Sequence, residues 1–269
     1  MRVVASEVRR LRGVRSTWVV VAGALLVNAA VAAFTASRLP AGELAVPDAV
    51  RVVAAVVPAL PLPLTALAAA VLGALAYGNE TRWPGLPASR VTLGRRLGGL
   101  LAKALVVGAT AALLAVAVLG LNALAAWLAL PAGTDAAALL APSVWPAGPF
   151  AAGGIGRPLL VFPVLAVAGG WAGLLITSLV RSAVVGILLT GALPALLEPT
   201  AGLLLHRTGR NWPFWVRELV PFQYGLDWVR GTADRTAGAL DGVVAAALLA
   251  PAGLLVLAAV LAQLRRRSL

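Results

Sequence analysis

Few side chains in this sequence are able to do covalent or metal chemistry, and they are scattered. There is one histidine, His206, and there is no cysteine. A multi-histidine metal site, a zinc–thiolate site, a thiolate nucleophile and a disulfide framework are therefore excluded. HExxH is absent, no GxS in an apolar run has a histidine partner, and no paired-aspartate motif lies on a helical stretch. A lone acid without a base or metal beside it is a poor catalyst. The phosphate-binding pattern GxxxxGK[ST] is absent too. The chain reads as a non-enzyme with no catalytic residue, no metal and no cofactor of its own. Any work against a gradient would draw on another subunit or on an ion gradient.

Three polar residues fall inside or beside long apolar runs: Asn28, Asn122 and Glu198. Polar groups at membrane depth either join helices by hydrogen bonds or mark a transport path. Asn28 and Asn122 fit either role. Glu198 sits between Leu197 and Pro199. It is either an interfacial residue at a span end or a substrate- or proton-binding carboxylate. Small-residue faces at Gly169, Gly170 and Gly173, and at Gly186 and Gly191, would let helices approach closely. His206 beside Arg207 reads as a solvated surface residue.

The elements that hold these residues follow from composition. The chain has 269 residues, 61% hydrophobic and 12% charged, with a mean hydropathy of +0.94. Soluble domains average about 45–50% apolar and about 25% charged, so a soluble enzyme and a disordered chain are both excluded. A nucleic-acid binder carries its charge on one solvated face. Here the formal charge of +12 sits in clusters between apolar runs, so nucleic acid is no partner. A bilayer crossing takes about 20 apolar residues. Six runs qualify: roughly 18–36, 52–77, 100–130, 158–180, 182–205 and 243–264. They are continuous and rich in Ala and Leu, which predicts helices rather than barrel strands. The fold class is an all-α integral membrane protein, a single transmembrane domain. No cleavable signal peptide is expected.

Charge sets the orientation. With a cytoplasmic N-terminus and six crossings, fourteen of the 22 basic residues fall inside, in Arg2–Arg15, Arg82–Lys103, Arg181 and Arg265–Arg267. The positive-inside rule favours that arrangement, with both termini cytoplasmic and the chain multi-pass in the cell membrane.

Residues 1–17 are amphipathic at helical period. Val4, Val8, Leu11, Val14 and Trp18 recur on one side, opposite Arg2, Arg9, Arg10 and Arg12. Such a helix lies in the headgroup layer, its arginines (Arg9, Arg10, Arg12, Arg15) meeting anionic lipid and Trp18 marking the interface. It is a topology anchor, or it also touches a cytoplasmic partner. Between the second and third runs, Pro84, Gly85 and Pro87 break any helix. Ser89 then offers an N-cap for a short helix running through Arg95 and Arg96. A short cytoplasmic helix held between two spans is a lever, with Glu80, Arg82, Trp83, Arg90, Arg95 and Arg96 as its contact residues. The plainer alternative is a solvated basic loop. In 206–241, Trp212, Phe214, Trp215, Phe222, Tyr224 and Trp228 crowd a stretch broken by Pro213 and Pro221. Aromatic residues prefer the membrane interface. That predicts a half-inserted element or a lid on the outer leaflet.

These features together resemble the ABC-2 type permeases, the membrane subunits of ATP-binding-cassette exporters. The opening Glu7-Val8-Arg9-Arg10-Leu11-Arg12-Gly13-Val14-Arg15-Ser16-Thr17-Trp18 resembles that family's Glu-x-x-Lys/Arg-Leu-Arg-x-x-Arg-Ser start. The Gly78–Lys103 segment is similar to the family's loop of a small residue, Glu80, a break, a Pro and an Arg, then a basic residue. Leu219-Val220-Pro221-Phe222 resembles its Leu-Pro-Phe before span six. The usual Thr-x-x-x-Leu after the glutamate is replaced here by Trp83-Pro84-Gly85-Leu86. The resemblance implies six spans, a cytoplasmic amphipathic helix at 1–17, a coupling helix at 82–96 and re-entrant helices at 206–241. It also implies pairing with a second permease copy or a paralogue. ATP and Mg would be held on a separate ATP-binding subunit. An apolar or amphipathic cargo fits spans built of Ala, Val, Leu and Gly. The alternative function is an autonomous ion-coupled secondary transporter, which places polar groups near the midplane on discontinuous helices.

Overall fold

Runs of Ala and Leu favour helix, and in lipid a helix satisfies every backbone group within its own segment. The computed structural model describes residues 2–42, 44, 46–57, 60, 62–82, 93–134 and 156–192. Every regular element among them is an α-helix: α1 (Arg2–Gly13), α2 (Arg15–Ser37), α3 (Val46–Val53), α4 (Leu64–Arg82), α5 (Leu93–Ala129), α6 (Gly156–Val180) and α7 (Ala183–Ala192). Arg15–Ser37, Gly98–Ala129 and Leu159–Val180 are long and apolar enough to cross a membrane, which marks a membrane protein. They coincide with the first, third and fourth expected spans. Leu26, Leu113 and Leu128 on α2 and α5 are about 70% exposed, an outer apolar face suited to lipid.

The second expected span, 52–77, is not one helix. α3 ends at Val53, and α4 begins only at Leu64. Pro58, Pro61 and Pro63 intervene; each fixes φ and removes a helix donor. The apolar part of α4, Leu64–Gly78, is about 22 Å long at 1.5 Å per residue, too short for a core of about 30 Å. The intervening Ala54, Ala55 and Leu62 are buried in the bundle, where non-helical backbone is tolerated. The fifth expected span is described only through α7. The sixth span, Glu198, His206 and 206–241 lie outside the described residues.

α3 closes with one left-handed residue, Ala55, at φ 46°. Its N–H bonds the Val52 carbonyl and the Val56 N–H bonds the Arg51 carbonyl, a nested pair that usually employs glycine. Ala55→Gly should therefore raise stability by about 1 kcal/mol. A melting curve of the variant in detergent checks this; a lowered midpoint would refute the strain.

The closest packing is between α4 and α6. A Cβ at Gly169 would stand 2.5 Å from the Ala66 carbonyl oxygen. At Gly73 it would strike the Gly170 carbonyl, and at Gly173 the Ala70 carbonyl. The sequence-predicted small-residue face of α6 thus meets α4 backbone to backbone. Gly186 is pressed instead onto the side chain of Thr177, whereas Gly191 has only Leu67 at 4.0 Å. The turn between α6 and α7 is made by Arg181, at φ 60°, and Ser182, whose hydroxyl accepts from the Val185 N–H.

Helix contacts divide the bundle into two ends. α1, the α4 C-terminus, the α5 N-terminus and the α6–α7 turn share one: Leu72, Leu75 and Ala76 line a cleft with α1, and Gly78 abuts Ala183. α3 packs at the other, its Val52 against Ala36 and Ala126 near the ends of α2 and α5.

Candidate functional site

Two polar constellations stand out. The first joins α1 to the bundle. Lys103 is only 5% exposed on α5, and its Nζ donates to Glu7 Oε1 of α1 at 2.7 Å. Glu7 is itself 16% exposed. Lys103, counted with the inner basic residues and expected at the entry to the third span, is thus buried there rather than solvated. It lies within an apolar run, where an ionisable group needs a partner. That need was the available signal: Glu7 and Glu80 are the acids assigned to this side.

The expected amphipathic helix 1–17 is shorter than predicted. It ends at Gly13, and Arg15 already belongs to α2. The Trp18 indole N–H donates to the Arg12 carbonyl at 2.9 Å, bridging the break at Val14. The face turned to the bundle also differs from the apolar stripe. Glu7, Arg10, Leu11, Val14 and Thr17 line the cleft with α4, while Val4 and Val8 are exposed. Pairing with Lys103 turns Glu7 inward and carries the two valines outward. Arg9, Arg12 and Arg15 are exposed and Arg10 is half-buried. The cleft has room for about one water, with a volume near 20 Å³.

Of the expected lever residues, Glu80 and Arg82 lie in the last turn of α4. Arg95 and Arg96 lie in the first turn of α5. The last two therefore belong to the helix of the third span itself. That helix is 37 residues, about 55 Å at 1.5 Å per residue, and outlasts the hydrocarbon core. Trp83 and Arg90 lie outside the described residues.

The second constellation surrounds the broken second span. Asn28, midway along α2, donates to the Ala24 carbonyl at 2.7 Å and accepts from the Thr65 hydroxyl at 3.2 Å. Thr65 lies in the first turn of α4. On the other side of the break, Asn122 of α5 donates to the Val53 carbonyl at 2.9 Å. Helix C-termini leave carbonyls without internal partners. The turn at Ala55 satisfies those of Val50, Arg51 and Val52, and Asn122 supplies Val53. The two asparagines thus brace the two ends of one interruption. Both are buried and bonded between helices. The arrangement is that of helix-joining hydrogen bonds, gathered where the backbone is discontinuous. Thr65 went unnoticed in the sequence, since a threonine in an apolar run carries no signal of its own. Trp171 adds a third tie: its indole N–H donates to the Ala104 carbonyl at 2.8 Å, over the side-chain-free surface of Gly108.

No family model, no curated protein and no solved structure matches this chain.

Proposed function

We propose that the chain is the membrane-spanning permease subunit of an ATP-binding-cassette exporter. In this reading it crosses the cell membrane six times with both termini in the cytoplasm. It pairs with a second copy or a paralogue and moves an apolar or amphipathic cargo. ATP and Mg are bound and used by the separate subunit, and the chain itself is not an enzyme. The observation that carries the reading is the make-up of one end of the bundle. α1, the α4 C-terminus with Arg82, the α5 N-terminus with Arg95 and Arg96, and Arg181 share that end. The positive-inside rule makes it the cytoplasmic one. The Glu7–Lys103 pair then couples a surface helix rigidly to a membrane-crossing helix, as a part that receives a partner's stroke must be coupled. A cleft with room for one water is too small for cargo, so a path between two copies fits better than one through this cleft. The exposed Val4 and Val8, flanked by Arg9 and Arg12, fit an anionic lipid surface.

The test is co-expression with candidate ATP-binding-cassette subunits from the same cell. A stable complex should co-purify, with ATPase activity that the chain alone lacks. Failure to capture any such subunit under conditions that preserve membrane complexes would overturn the reading. Single-cysteine labelling in intact cells should find residue 6 shielded and residue 41 reactive; the reverse pattern would invert the topology. The broken second span favours a second reading, the ion-coupled carrier, because discontinuous helices form the binding sites of such proteins. Gradient-driven uptake by the chain alone in liposomes would select it.

A further inference from the structure

α5 carries a polar tie toward each end of the bundle. Its helix, Leu93–Ala129, contains no proline. Toward one end the Lys103 ammonium donates to Glu7 of α1 at 2.7 Å. Toward the other the Asn122 amide donates at 2.9 Å to the carbonyl of Val53, the last residue of α3. Both α5 side chains are buried. Their positions are about 28 Å apart along the helix at 1.5 Å per residue. Beside the second tie, Val52 of α3 packs on Ala36 and Ala126. α4 is held differently. It meets α6 backbone to backbone at Gly73, Gly169 and Gly173, where no side chain can yield. Helical backbone does not run from α3 into α4. Between them lie the left-handed Ala55 and the prolines Pro58, Pro61 and Pro63. α3 is therefore bonded to α5 but jointed to α4.

We propose that α1, α5 and α3 form a mechanical linkage whose joint is the break in the second span. Displacing α1 shifts α5, and α5 carries α3 with it at the opposite end of the bundle, while α4 and α6 keep their contact. An unbroken second span would resist this, because α3 would then be one stiff helix with α4. Trp171 of α6, bonded to the Ala104 carbonyl of α5 at 2.8 Å, sets the resting position of the rod. Coupling between two sites is reciprocal, so freeing α3 loosens α1 as freeing α1 loosens α3. The proposal goes beyond the export and carrier readings and depends on neither, since the linkage belongs to the chain without partner or cargo.

The experiment uses the full chain, which has no cysteine of its own, purified in detergent. Thiol-labelling rates are measured in three reporters: Val52→Cys on α3, Leu174→Cys on α6 and Leu11→Cys on the bundle face of α1. Val52 and Leu174 are buried and Leu11 is half-buried. Adding Lys103→Met should speed labelling at position 52 by at least about fivefold, the lower end of a typical coupling between sites. Labelling at position 174 should stay unchanged. Asn122→Leu should in turn speed labelling at position 11. Glu7→Gln, a milder break of the first tie, should act in the same direction as Lys103→Met and keeps the test readable if that variant fails to fold. Unchanged labelling at position 52 when the first tie is broken would overturn the proposal. So would equal acceleration at positions 52 and 174, the mark of a general loosening, or no response at position 11 to Asn122→Leu.

Discussion

Replacing Lys103 with methionine should destabilise the protein by roughly 3–5 kcal/mol, the typical cost of stranding one charge of a buried pair. Lys103 Nζ and Glu7 Oε1 are 2.7 Å apart, with side chains 5% and 16% exposed. Removing the ammonium leaves the Glu7 carboxylate facing Leu72, Leu75 and Ala76 across the cleft, with Arg10 of its own helix the remaining cation in the lining. It must then turn toward Arg10, find water or pull α1 away, each of which gives up the tie to α5. The residual exposure of Glu7 sets the effect toward the lower end of the range. Because the damage comes from the orphaned partner, the double variant Glu7→Leu/Lys103→Met should recover more than half of the loss. Neighbouring residues of this kind are non-additive. Melting of the purified protein, followed by tryptophan emission, reads all three variants. If Lys103→Met melts within a degree of the parent, or the double variant sums the two single losses, the pair is not the tie described here. Under the export reading the same variant should also uncouple: a partner's ATPase activity would persist while transport falls.

The second large effect belongs to α4 and α6. Gly173→Val should abolish folded protein rather than weaken it by increments. The new Cβ would occupy the place of the Ala70 carbonyl, and backbone cannot yield as a flexible side chain does. Ordinary overpacking costs about 1–3 kcal/mol. Here the two helices must separate, losing their contact along Ala66, Ala69, Ala70 and Gly73 together. Gly120→Ala is the internal control. It lies on the exposed face of α5 with nothing within 4 Å of a Cβ. There alanine should be neutral or stabilising by up to about 1 kcal/mol, as in any helix interior. Expression and monodispersity on size exclusion distinguish the two. A well-folded Gly173→Val protein would show that α4 and α6 do not meet as closely as described.

α2, α6 and the apolar part of α5, Gly98–Ala129, fall within a few residues of the expected spans, because apolar length is a property of each segment by itself. The break in the second span was not legible for a related reason. The run 52–77 is apolar enough to cross, and hydropathy does not register Pro58, Pro61 and Pro63 as interruptions. The helical period of α1 was legible, but not which face it buries. The valine stripe Val4–Val8 pointed one way, and the Glu7–Lys103 pair turned the helix another. Asn28 and Asn122 were legible as polar residues at depth, and their dual reading as tie or path could not be narrowed from spacing. The bonds to Thr65 and Val53 place them at opposite ends of the same interruption.

Residence in a membrane, helical secondary structure and the segregation of arginines between segments were determined by the sequence alone. Each depends on interactions within a segment: backbone bonds to a residue four positions away, and transfer of local side chains between water and lipid. What only the tertiary structure decided was which polar groups meet. Lys103 finds Glu7 across 96 positions, Asn122 finds Val53 across 69, and Thr65 finds Asn28 across 37. In a low-dielectric interior an unpaired group is costly, so partners must exist. Their identity follows from how helices dock, which small residues such as Gly73 and Gly173 control by setting how near two backbones can come.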